Sequence, residues 1–195
     1  TKSPVRRIHK VRTDALVKEV LTDENIEVLR DSCQELRDIA MIDLLLSTGM
    51  RVGELVKINR EDIDFQERQC VVFGKGNKER TIYLNDACVD AINAYLPVRP
   101  VDGVKDKNAL FISRNKQRIS PKTIQCIVKN TLEKAGLGDR DLSTHKLRHT
   151  AATLMYREGG VDVRVLKEIL GHEQLNTTQI YTHVVDSDVE RAMAK

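Results

Sequence analysis

Tryptophan is absent, and aromatic residues make up only 4% of the 195 positions. A core built from this chain must therefore be packed with aliphatic side chains. Its 41% hydrophobic content is enough for that and argues against disorder. Cysteine is sparse: Cys33, Cys70, Cys88 and Cys126 are widely scattered and no two form a C-x-x-C pair. With no secretory signal ahead of them, they are expected to be free thiols of a reducing cytoplasm. No apolar run approaches the roughly 18 residues needed to span a bilayer, so no membrane partner is expected. A surplus of one charge is also missing, since 32 basic and 29 acidic side chains leave a formal +3. That total does not point to nucleic acid; clustering of the cations on one face would. Internal repeats and low-complexity segments are absent as well.

The length suits one large domain or two small ones. Residues 1–20 are basic and weakly patterned, with Lys2, Arg6, Arg7, Lys10 and Arg12 and no acid as far as Arg12. They read as a linker or arm, either simply solvated or in contact with phosphates. Thr22, followed by acids, starts a helix reaching about Cys33. Leu36 to Leu46 is apolar on nearly all sides in its second half, which predicts a buried helix ended by Thr48-Gly49. A short helix follows from Val52 to Ile58. Cys70–Phe73 and Thr81–Leu84 are β-rich and flank G-K-G-N-K-E-R, a hairpin with a basic tip. Ile63–Phe65 supplies a third strand. Helical spacing returns from Asn85 through Tyr95, then again from Ser120-Pro121 to Ala135, with proline in the first turn. Further helices are expected over 145–158, 163–170 and 186–195, with a helical turn at 176–181. The fold class is mainly α with a small three-stranded antiparallel sheet.

Several local patterns suggest chemistry, and each has an ordinary alternative. His145 and His149 stand four apart, as in a helical zinc pair, but the residue after the first histidine is Lys146 rather than glutamate, so zinc is rejected. G-K-G-N-K lies in a hairpin, not between a strand and a helix, so it is not a nucleotide-binding loop. Asp62 and Asp64 form a D-x-D too common to count as a metal site. His145 and Arg148 share a helix face. Arg51 and Glu54, at i and i+3, ordinarily make a structural salt bridge. Yet an arginine beside so buried a helix has five donors to satisfy, and a carboxylate plus a phosphate would do it. Of the four tyrosines, Tyr83 and Tyr95 are expected in the core or at its boundary and Tyr156 in packing. Tyr181, after a glycine, histidine and polar-turn segment, is the one best placed to be exposed.

In order and at these distances, T-G-M-R-V-G-E-L around Arg51, the hairpin lysine Lys75, H-K-L-R-H-T, L-G-H and Q-I-Y-T-H closely resemble the tyrosine recombinase (phage integrase) family from about Leu21 onward. Each piece is degenerate, while the ordered set is specific. The resemblance implies the DNA breaking–rejoining catalytic fold over 21–195. It makes Arg51 and Arg148 the catalytic arginines and Glu54 the acid that orients the site. Lys75 becomes the general acid, His145 the base, His172 the second histidine and Tyr181 the nucleophile. Lys78, Arg80 and Lys146 are expected to contact DNA.

The implied reaction is metal- and ATP-independent recombination or integration of double-stranded DNA through a 3′-phosphotyrosyl link, with no cofactor. Strand passage of the type IB topoisomerase kind and an inactive DNA-binding module are the alternatives. Family members usually carry an N-terminal core-binding domain. Residues 1–20 are therefore expected to be the remains of an interdomain linker. The segment 186–195, with Val189 and Met193 on one face, is expected either to pack in cis or to dock on a neighbouring protomer in a tetrameric synapse.

Overall fold

Helix α1 (Asp23–Asp31) starts where the Thr22 hydroxyl accepts the Asn25 N–H at 3.1 Å, with Asp23 and Glu24 in its first turn facing the positive end of the helix dipole. It belongs to a computed structural model that describes residues 21–138, 144–159 and 164. The basic arm, His172, Tyr181 and the expected elements at 176–181 and 186–195 lie outside these residues, as does all of the expected 163–170 helix except Arg164.

Helix α2 (Leu36–Thr48) is the axis of the fold, and ten of its residues are buried, among them Met41, Ile42, Leu44 and Leu45. As the continuous apolar run predicts, it has no solvent stripe over its second half. It stops at Gly49, whose φ of 68° is the left-handed conformation that a residue without Cβ adopts at least cost. The Gly49 N–H bonds the Leu45 carbonyl at 3.1 Å. The Thr48 hydroxyl donates back to Leu44 at 2.6 Å and accepts the Met50 N–H at 3.2 Å, so it ties the last turn of the helix to the chain leaving it. Helix α3 (Val52–Val56) follows at once.

Strands β1 (Ile63–Asp64), β2 (Gln69–Phe73) and β3 (Glu79–Tyr83) form one antiparallel sheet in the order β1-β2-β3, as expected. Val72 pairs with Arg80, and Gln69 with Tyr83. Cys70, Val72 and Ile82 face the core. Tyr83 does not: at 72% exposure it corrects the expectation of a core or boundary residue. The cause is the two-residue period of a strand, since burying Ile82 turns its neighbour outward.

Helix α4 (Asp86–Tyr95) is capped by Asn85, which accepts the Cys88 N–H at 2.9 Å, and packs along α2. At its end Tyr95 is buried, stacks on Phe111 with ring centres 5.6 Å apart, and accepts the Ile112 N–H at 3.2 Å. The stacking pair thus lines the short apolar segment 110–112 with a paired hydroxyl, as a buried tyrosine requires. Helix α5 (Pro121–Lys134) is capped by Ser120, with Pro121 in its first turn. Helix α6 (Thr144–Gly159) packs on α2 through buried Leu147, Ala151 and Ala152. Its buried Thr150 hydroxyl takes the Leu21 N–H at 3.2 Å, across 129 residues of chain. No helix among the described residues is long and apolar enough to cross a membrane.

Candidate active site

The site begins at the turn between α2 and α3. Gly49 and Met50 are buried there, and the chain surfaces at Arg51, which is half-buried and serves as the N-cap of α3. Because this turn is tight, the guanidinium of Arg51 is carried on backbone fixed by the αL glycine on one side and the first turn of a helix on the other. The Arg51 N–H donates to Glu54 Oε1 at 3.0 Å, so the glutamate at the third position of α3 closes the helix start.

Glu54 is buried, and a buried carboxylate needs partners for its lone pairs. They come from the sheet. Arg80 Nε donates to Oε2 at 2.9 Å and Nη2 to Oε1 at 2.8 Å, a two-pronged ion pair between α3 and β3. Gly74 completes the enclosure: a Cβ at this position would stand 3.6 Å from Glu54 Oε2. The end of β2 therefore runs directly past the carboxylate.

Beyond Gly74 the hairpin tip is a 3₁₀ turn over Lys75–Asn77, closed by Gly74 N–H to Lys78 O at 2.9 Å and Asn77 N–H to Gly74 O at 3.1 Å. Gly76 and Asn77 take the positive φ values of 72° and 58° that such a tip requires. Lys75 and Lys78 are exposed on it. Arg80, expected from the sequence to contact DNA, has two of its three nitrogens on Glu54.

The third contributor is α6. Arg148 Nε donates to the Gly49 carbonyl at 2.7 Å, which docks a residue from late in the chain on the turn that carries Arg51. His145 and Lys146 fall in the first turn of the same helix. Three segments far apart in sequence thus converge: the Gly49–Arg51 turn, the neck of the lysine hairpin, and the start of α6. Arg51 and Arg148 are half-buried there rather than waving in solvent. Such partial burial limits the freedom of each guanidinium while leaving part of it accessible. The Arg80–Glu54 pair escaped sequence reasoning because its partners are 26 residues apart, on a helix and a strand that meet only in the folded chain.

Against this geometry, the sequence profile of the phage integrase family matches residues 19–188. The chain belongs to the phage integrase family. Among relatives in the family, a tyrosine recombinase XerC of Caldanaerobacter subterraneus subsp. tengcongensis is 58% identical over 159 residues, covering 82% of this chain and 44% of the relative. A tyrosine recombinase XerC of Psychromonas ingrahamii is 36% identical over 189 residues, covering 93% and 62%. The chain spans about half the length of the curated relatives it matches. Of solved structures, a XerA recombinase superposes with a TM-score of 0.76 at 33% identity, over 90% of this chain and 64% of that one. A XerH site-specific recombinase bound to a palindromic difH substrate, in a post-cleavage complex, gives 0.73 at 26%, over 90% and 52%. The expected fold, mainly helical with a small antiparallel sheet, is thus that of the family's recombinases. Arg51, Lys75, His145, Arg148, His172 and Tyr181 all fall inside the matched range.

Proposed function

We propose that this chain is the catalytic part of a site-specific recombinase acting on double-stranded DNA, with Arg51, Lys75, His145, Arg148, His172 and Tyr181 carrying the reaction. The observation that carries the reading is the Arg148 Nε bond to Gly49 O at 2.7 Å, which seats the second arginine on the turn of the first. Phosphodiester attack by an oxygen concentrates negative charge on the non-bridging oxygens, and two preorganised guanidinium groups are matched to that charge. His172 adds a donor.

The steps balance without an external energy source. A free tyrosine hydroxyl has a pKa of about 10, so Tyr181 must lose its proton, and His145 takes it as the Tyr181 Oη–P bond forms. The P–O5′ bond breaks, and Lys75 gives a proton to the leaving 5′ oxygen. The product is a 3′-phosphotyrosyl link and a free 5′-hydroxyl, and attack by a 5′-hydroxyl of a second duplex reverses the chemistry into a new strand. The phosphodiester energy stays in the covalent link. Lys78 and Lys146 flank the site as backbone contacts, and residues 1–20 serve as linker or arm. The 186–195 segment, through Val189 and Met193, docks on a neighbouring protomer of a tetrameric synapse.

The test is a duplex nicked beside the scissile phosphate, offered as a palindromic dif-type site and as a randomised pool. Wild type is expected to trap a protein–DNA adduct that survives denaturation, and Tyr181→Phe is expected to trap none. An adduct that persists in Tyr181→Phe assigns the nucleophile elsewhere. No adduct from wild type on any duplex points to a binding module, and relaxation of supercoils without strand exchange to a topoisomerase.

A further inference from the structure

We infer that Arg80 is a positioning residue that sets where the hairpin lysine Lys75 stands in the site, and that it is not a phosphate ligand. This rests on the recombinase reading above. Arg80 sends Nε and Nη2 to the two oxygens of one carboxylate, Glu54, at 2.9 and 2.8 Å. That carboxylate is buried and also accepts the Arg51 N–H at 3.0 Å. One acid therefore joins the turn bearing Arg51 to the strand bearing Arg80.

The hairpin is pinned to Glu54 through β3 and borders the same carboxylate through the end of β2. On β3, Arg80 pairs in register with buried Val72 of β2. After β2, Gly74 lies beside that carboxylate: a Cβ there would be in van der Waals contact with Glu54 Oε2, at 3.6 Å. Lys75 is the next residue along, exposed on a tip that holds itself together through Gly74 N–H to Lys78 O at 2.9 Å. A lysine on a free hairpin would search a wide volume. On a neck clamped to the base of α3 it searches a small one, next to Arg51. A two-pronged guanidinium–carboxylate pair resists rotation as well as separation, which a lysine in its place would not.

The chemistry of the leaving group makes the role readable. Lys75 gives its proton to the 5′ oxygen as the P–O5′ bond breaks. If that oxygen is replaced by sulfur, the group leaves as a thiolate and needs no proton. A defect confined to the placement of Lys75 then disappears, while a defect in fold or in charge stabilisation remains.

Cleavage rates would be measured in single turnover on nicked duplexes with an oxygen or a sulfur at the 5′ bridging position, for wild type, Lys75→Ala, Arg80→Ala and Arg80→Lys. On the oxygen substrate Arg80→Ala is expected to be slower by about 100-fold, the scale of a misplaced reacting group. On the sulfur substrate it should return close to wild type, as should Lys75→Ala. Arg80→Lys should fall between wild type and Arg80→Ala on oxygen, and it carries the same comparison if Arg80→Ala does not fold.

DNA affinity as a function of salt gives the independent readout. The slope for Arg80→Ala should equal that of wild type, whereas loss of a phosphate contact would lower it by about one. A wild-type rate on oxygen, an equal loss on both substrates, or a lowered salt slope overturns the positioning role. Absence of any wild-type adduct on both substrates refutes the recombinase reading itself, before Arg80 enters.

Discussion

Asp43 places a carboxylate in the wall of the core, on helix α2, with Arg30 Nε at 3.0 Å. Burial pushes its pKa up to about 6 from the ordinary 3.8 and outweighs the opposing pull of Arg30. The sign of the consequence follows from proton counting. The native state holds this proton more tightly than the unfolded chain, so the group favours folding at low pH, and that contribution is lost as pH rises from about 4 through about 6. A displacement of about two units corresponds to about 3 kcal/mol. Replacing Asp43 by Asn should therefore stabilise the fold at pH 7.5 by up to about 3 kcal/mol, with the advantage vanishing below pH 4. Urea melts of the two proteins across pH would show it, and a gap that widens on acidification would contradict it. Burial likewise raises Asp38 on the same helix, although Arg37 beside it pulls the other way.

At the scale of elements, helix starts were legible because their signals are local. Thr22, Asn85 and Ser120 each cap the helix that their position announces. The ends of α2 and of the strands lie within a few residues of expectation for the same reason. What sequence could not supply was anything set by a partner far along the chain. The outward face of Tyr83 depends on which side of β3 meets the core, and the pairing of Arg80 depends on β3 passing beside Glu54 of α3. The motif residues Arg51, Lys75 and Arg148 were legible as a set through family resemblance alone. The physical reason for their convergence, a carbonyl of an αL glycine and a shared carboxylate, was not.

One of those connections is exposed to a simple test. Gly49→Ala forces a Cβ into a left-handed conformation and should cost about 1 kcal/mol or more in thermal or urea unfolding. An unchanged melting curve would mean that the turn relaxes without loss.

Over the whole molecule, burial sorts the four cysteines. Cys70 and Cys88 are buried and Cys33 is half-buried; loss of solvent around each pushes its pKa up to about 12. Cys126 is exposed on α5. Since the thiolate is the reactive species, a thiol reagent at neutral pH should label Cys126 quickly and the other three only as the fold opens. Mass spectrometry of the early product should find the label on Cys126, and Cys126→Ser should abolish the fast phase. Rapid labelling of Cys70 or Cys88 in native protein would mean that the sheet or α4 opens more readily than its packing implies.

The bond from Arg148 to Gly49 has a consequence for how the protein is made. It closes a loop of 99 residues, and the Leu21–Thr150 bond closes one of 129. A ribosome that has released the chain only as far as α5 has produced Arg51 and the lysine hairpin but no helix to place beside them. Every product that stops before α6 therefore lacks Arg148, and with it the bond that seats a second arginine on the Gly49 turn.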